Sequence, residues 1–136
     1  HEQLTGGIEQ RGDVYRVNLK AMSTFPFDQK FGTIDDVPTK FRELDGKRVE
    51  LIGEMYAPQS SGAAVDKFDV VYSIQKCCYS GEPLVQHFVR SKGTAGPVPF
   101  YSGQVRITGT LKVDVVKEAD KVTGIYHLSV DKVDPV

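Results

Sequence analysis

Residues 104–115 read QVRITGTLKVDV, and this stretch decides the fold class. Val105, Ile107, Leu111, Val113 and Val115 alternate with Arg106, Thr108, Thr110, Lys112 and Asp114. A period of two gives one apolar and one polar face only if the chain is extended, because successive Cβ atoms of a strand point to opposite sides. Gly109 stands where an inward side chain would, as a strand requires where it bends or where another backbone comes close. A half-buried strand of this kind needs partners, and the flanking sequence supplies them. GIYHLSVDKV (124–133) sets Tyr126, Leu128 and Val130 inward against His127, Ser129 and Asp131.

Upstream, KRVELIGEMY (47–56) places Val49, Leu51, Gly53 and Met55 opposite Arg48, Glu50 and Glu54. KFDVVYSIQK (67–76) places Phe68, Val70, Tyr72 and Ile74 opposite Asp69, Ser73 and Gln75. LVQHFVRS (84–91) alternates equally well either way, with Val85, His87 and Val89 against Gln86, Phe88 and Arg90. The Gly- and Pro-rich SKGTAGPVPFYSG (91–103) reads as a loop, where a small barrel often carries a helix. Five strands over 47–134 predict a mainly all-β domain, a five-stranded OB-like antiparallel barrel, with a two-sheet sandwich as the rival.

The residues ahead of the barrel divide in two. Residues 1–12 read as a flexible tail and 13–46 as an N-terminal extension of the same single domain. In the extension, Tyr15, Val17 and Leu19 form the apolar face of a short strand that runs into an aromatic, Pro-containing turn. DDVPTKFRELDG (35–46) predicts a short helix: Asp35 or Asp36 as cap, Pro38 in the first turn, Phe41 and Leu44 on one side and Gly46 as the stop.

The chain has 136 residues, 17 basic and 18 acidic, for a net charge of −1. Such a balance, with no Lys/Arg stripe, argues against a nucleic-acid partner. No apolar run approaches the ~20 residues of a membrane-spanning helix. The opening HEQLTGGIEQRGD lacks a Met, which carries the expectation of a processed end from which a leader or a lipid-anchored N-terminus was removed.

Both cysteines are adjacent, in YSIQKCCYSGEP (72–83). If the alternation from Phe68 continues, Cys78 faces inward with Ile74 and Cys77 outward with Gln75. A disulfide between neighbours is strained, since Cα atoms ~3.8 Å apart fall short of the usual span. Two adjacent thiols cannot complete a tetrahedral metal site alone. With a hairpin over 79–84, His87 becomes a diagonal neighbour of Cys78, and Glu82 could add an oxygen. Cys77, Cys78 and His87 are therefore the candidate ligands for zinc or copper. The alternatives are a packed Cys78 and an exposed, reactive Cys77 beside Lys76.

No nucleophile elbow, Ser–His–Asp set or phosphate-binding glycine loop is present, so the reading is non-enzymatic and needs no cofactor. Tyr56, Tyr79, Phe100 and Tyr101 fall at strand ends or in loops, where small barrels bind their ligands, and are the candidate ligand-binding residues.

FRELDGKRVELIGEMYAP, CCYSGEP, VRITGTLKVD and GIYHLSVDKV together resemble an uncharacterised bacterial family of exported OB-like domains. That family carries a Leu-x-Gly-Lys-x-Val strand start and a Cys-Cys-aromatic-Gly-x-Pro turn. The likeness covers about residues 35–134, with Ser80 standing as an extra residue before Gly81. It implies a periplasmic or outer-membrane-anchored protein of the bacterial envelope, in a family of which some members are encoded beside transporter components. The expected function is a binding or assembly module for a protein partner or small ligand, with metal handling or thiol redox chemistry as the alternative.

Overall fold

The computed structural model describes residues 7–60, 64–76 and 84–136, together with the backbone of 2–4. Its strands are β1 (Glu2–Leu4), β2 (Ile8–Arg11), β3 (Val14–Val17), β4 (Arg48–Ser60), β5 (Val65–Val71), β6 (Val89–Gly93), β7 (Gln104–Glu118) and β8 (Lys121–Pro135). Two short helices, α1 (Leu19–Ser23) and α2 (Thr39–Arg42), lie between β3 and β4. The protein is mostly β, as the alternation predicts.

The strands form one sheet in the order β1-β2-β3-β4-β5-β6-β8-β7, and β7 also pairs with β4. That last pairing closes β4, β5, β6, β8 and β7 into a ring of five strands. β4, β5 and β6 follow one another antiparallel, and β7 returns to lie beside β4, the connectivity of a Greek key. The expectation of an all-antiparallel barrel needs correction. β6 and β8 run parallel, as do β3 and β4. An odd number of strands closed on itself cannot alternate direction throughout, so one parallel pair in the ring is unavoidable.

One face of each ring strand builds the core. Val49, Leu51, Met55, Phe68, Val70, Val89, Val105, Ile107, Leu111, Tyr126, Leu128 and Val130 are all buried in a single cluster. Gly53 and Gly109 serve close backbone approach: a Cβ at Gly53 would lie 2.5 Å from the Val71 carbonyl oxygen, and one at Gly109 only 2.2 Å from that of Ser129. The β7–β8 register also shifts between Thr108 and Gly109.

The extension packs against the ring's core. Met22, Val37, Phe41 and Leu44 join the core, and the Tyr126 hydroxyl donates to the Met22 carbonyl at 2.9 Å. Burial pushes the Tyr126 phenol well above its ordinary range. The short helix forms but starts later than expected: Asp35 and Asp36 belong to a separate 3-10 turn (Ile34–Asp36), so Pro38, expected in the first turn, is itself the residue that caps α2. Gly46 ends the segment at a φ of 79°, where it donates to the Leu111 carbonyl.

Three local expectations change. Part of the stretch read as a tail is ordered: β2 pairs with β3 through a turn at Gly12, and Ile8 is buried in the core. β5 stops at Val71 and Ile74–Lys76 are helical, so the strand expected over 67–76 is shorter than its alternation suggests, and the facing expected of Cys77 and Cys78 lies outside the described residues. Val85–His87 form a 3-10 turn rather than a strand, and β6 starts only at Val89.

Candidate binding site

The polar face of the ring carries a row of side chains brought together by register. Tyr56 of β4 stands opposite Asp69 of β5, Asp69 opposite Arg90 of β6, Arg90 opposite His127 of β8, and His127 opposite Lys112 of β7. Each lies next to an inward residue (Met55, Val70, Val89, Tyr126 or Val113), so alternation turns the row outward.

Arg90 organises the centre of this row. Its Nη1 donates to Asp69 Oδ2 at 2.7 Å, and its Nε and Nη2 both donate to the Thr123 carbonyl, at 3.2 and 3.1 Å. The guanidinium carbon lies 4.7 Å from the centre of the Phe88 ring. Phe88 in turn stacks on Tyr56, with centroids 6.1 Å apart and planes inclined by 24°. Val71 and Phe88 are buried in a small cluster outside the ring, with Tyr56 and Ile74 packed against it. This outer cluster explains why Val70 and Val71 are both buried although they face opposite ways.

A cleft opens on each side of Arg90. One, of about 340 Å³, is bounded by Gln29, Val85, Phe88 and Lys121. The other, of about 460 Å³, is bounded by Gln59, Lys67, Asp69 and Glu118 and lies between the ends of the β4–β5 and β7–β8 hairpins. Asp69 has only 16% of its side chain exposed. Burial raises its pKa above the ordinary aspartate value, and the Arg90 charge and hydrogen bond oppose that rise without cancelling it.

The 3-10 turn beside Phe88 is held from several directions. Gln86 is buried, donating to the Phe25 carbonyl at 2.9 Å and accepting from Gln29 Nε2 at 3.0 Å. Gln29 Oε1 accepts the Val85 N–H at 2.8 Å. His87 Nδ1 accepts the Leu84 N–H at 3.0 Å, and burial lowers the imidazole pKa, which favours the neutral ring. With Nδ1 accepting, the neutral ring carries its proton on Nε2, so a metal at Nε2 would require this bond to be exchanged. Among the described residues no group of three or more His, Cys, Asp or Glu side chains could hold a metal. Cys77, Cys78, Tyr79 and Glu82 lie outside the described residues.

The structure separates the remaining aromatic candidates. Tyr56 belongs to the outer cluster, whereas Tyr101 packs against the main core and Phe100 is 45% exposed on the loop before β7. Phe88, Arg90, Asp69 and Thr123 were not singled out as site residues from the sequence. The signal for two of them was there, since Phe88 and Arg90 are two apart and share a face of any strand through FVR.

No family model matches the sequence, and no curated protein matches it significantly. Among solved structures, the chain is similar to a DUF3299 family protein from Pseudomonas aeruginosa PAO1, with 25% identity and a TM-score of 0.55. The match covers 70% of this chain and 64% of that one, so the chain spans less than two thirds of its neighbour's length. That neighbour is a bacterial protein of an uncharacterised family, and at this level it agrees with the resemblance drawn from the sequence. No helix among the described residues is long and apolar enough to cross a membrane.

Proposed function

We propose that this chain is a non-enzymatic binding module of the bacterial envelope, built on an OB-like barrel and engaging a partner or small ligand through the Arg90 face. The Greek-key ring of five strands supports the OB-like reading, in which ligands meet the second and third strands and the loops after the first and fourth. In this chain those are β5, β6 and the two hairpin ends. The observation that carries the proposal is the pinned Arg90 guanidinium, stacked on Phe88 and Tyr56 between two clefts. An arginine held rigid before binding, by a buried Phe88 beneath it and a half-buried Tyr56 beside it, loses little freedom on contact, which is how such residues come to dominate interfaces. The envelope location and a link to a transporter rest on the sequence resemblance alone.

The test is affinity capture from bacterial envelope extract with the intact protein and with a Phe88→Ala variant as baits. A partner retained by the first and lost by the second supports the proposal. Turnover of a substrate by the purified protein would overturn its non-enzymatic part.

A second reading is metal or thiol chemistry at Cys77 and Cys78 with His87. What favours it is that both flanks of that segment reach the same face. Ile74 packs on the outer cluster with its N–H bonded to Glu54 Oε2 at 3.0 Å, and Leu84 bonds His87. Thiol titration with zinc and copper analysis separates the readings: two freely titrating thiols without metal remove support from this one.

A further inference from the structure

A second cleft, remote in the sheet order from Arg90, lies where β4 passes its edge from one neighbour to another. β3 pairs with β4 as far as Leu51, and β5 pairs with it from Glu54 onward. At Val17 the chain leaves β3 for α1, and at Val71 it leaves β5, so the two strand ends diverge beside Ile52 and Gly53. The gap between them is a cleft of about 460 Å³, inside the range typical of small-molecule sites. Its apolar surface comes from Ile8, Leu19 and Ile52, and Ile52 is 37% exposed at an outward position of β4 where the pattern has otherwise placed charges.

The polar groups on the wall differ in what they have left to offer. The acceptor Glu9 is occupied by Arg11 at 2.6 Å, and Arg16 is occupied by Glu50 at 2.9 Å. Asn18 has its Oδ1 engaged by the Ala21 N–H at 3.1 Å, which leaves its amide N–H groups. Among the described residues, neither the Lys20 ammonium nor the Tyr72 hydroxyl has a partner. Among the described residues each group still free can donate, one of them carrying a full positive charge, around an apolar floor.

We infer that this cleft binds a small carboxylate with an aliphatic body, the carboxylate meeting Lys20, Asn18 and Tyr72 and the chain lying on Ile52 and Leu19. The site is independent of the Arg90 face and of the role proposed for it.

Calorimetric titration with hexanoate, octanoate and decanoate, each below its micelle concentration, tests the inference on the whole protein. Decanoate should bind saturably, with affinity falling by up to about fourfold for each methylene removed. Lys20→Gln should weaken decanoate about tenfold, as loss of one charge-assisted hydrogen bond does. Ile52→Trp, which fills the gap from an exposed position, should abolish binding while the thermal midpoint holds. In the wild-type protein, methyl resonances of Ile52 and Leu19 should shift on titration. Absence of saturable binding would overturn the site, as would indifference to both substitutions. Equal affinity for decyltrimethylammonium would overturn the carboxylate.

Discussion

Replacing Arg90 by Met keeps much of the side-chain length over Phe88 and removes the charge. Three donated hydrogen bonds disappear, one to Asp69 and two to the Thr123 carbonyl, together with the contact over the Phe88 ring. Breaking a fully buried ion pair costs about 3–5 kcal/mol. This pair is only partly buried, Arg90 being 38% exposed, so solvent screening reduces the figure. With ~0.5–1 kcal/mol for the cation–π contact, the expected loss is about 2 kcal/mol. At a urea dependence of about 2 kcal/mol per molar, the unfolding midpoint falls by about 1 M. The loss should also depend on pH. Asp69 already has a raised pKa, and removing Arg90 takes away the charge that opposes the rise, so the lone carboxylate is the destabilising species. A group whose folded pKa is raised destabilises above that pKa and ceases to do so below the unfolded value. The deficit should therefore be full at pH 7 and shrink as pH falls through the raised pKa toward the ordinary aspartate range. Asp69→Asn in the Arg90→Met background should recover part of the loss at pH 7, giving a non-additive cycle. Urea unfolding of the four proteins at pH 7 and pH 4.5 decides the matter. A deficit under ~0.5 kcal/mol, or one equal at both pH values with additive substitutions, would refute this account of the Arg90 pin.

Gly109→Ala drives a Cβ against the Ser129 carbonyl oxygen across the β7–β8 pair, and should cost about 2–3 kcal/mol in denaturant unfolding. Ala119, at a φ of 54° in the β7–β8 turn, should behave the opposite way: Ala119→Gly relieves the left-handed strain and should raise stability by about 1 kcal/mol. His87 has a lowered folded pKa, so its contribution is complete above the unfolded value of ~6.5 and is lost as pH falls through the folded one. The pH dependence of the thermal midpoint between pH 7 and 5 should accordingly flatten in His87→Ala, and an unchanged slope would contradict the burial that lowers the imidazole pKa.

Where burial is one-sided, the sequence was easy to read. Along much of β4, β7 and β8 every second residue meets the core, Ile125 beside Tyr126 being an exception, and the inward sets named from alternation are buried apart from the half-buried Val115. Alternation misled after Val70 because Val71 is buried too, under Phe88 and outside the ring, and this second cluster marks the end of β5 rather than its continuation. The segment at 84–88 was ambiguous for a related reason. Its residues alternate equally well as a strand, and the bonds that hold the 3-10 turn in place, the Val85 N–H donated to Gln29 Oε1 and Gln86 Nε2 donated to the Phe25 carbonyl, reach residues far away in the sequence. The candidate site was less legible still. Asp69 meets Arg90 through a register that alternation does not fix, and the Thr123 acceptor is a backbone carbonyl that no side chain announces.

Binding through the Arg90 face is open to quantitative affinity capture. Wild-type protein, Phe88→Ala and Ile52→Trp would be immobilised at equal density and exposed to bacterial envelope extract, with folding of each bait checked beforehand. A specific partner or ligand should be recovered equally by wild type and Ile52→Trp and reduced about tenfold or more with Phe88→Ala, since the buried Phe88 ring holds the Arg90 guanidinium and Tyr56 in place at the contact face. Recovery unchanged by Phe88→Ala would contradict binding through this face.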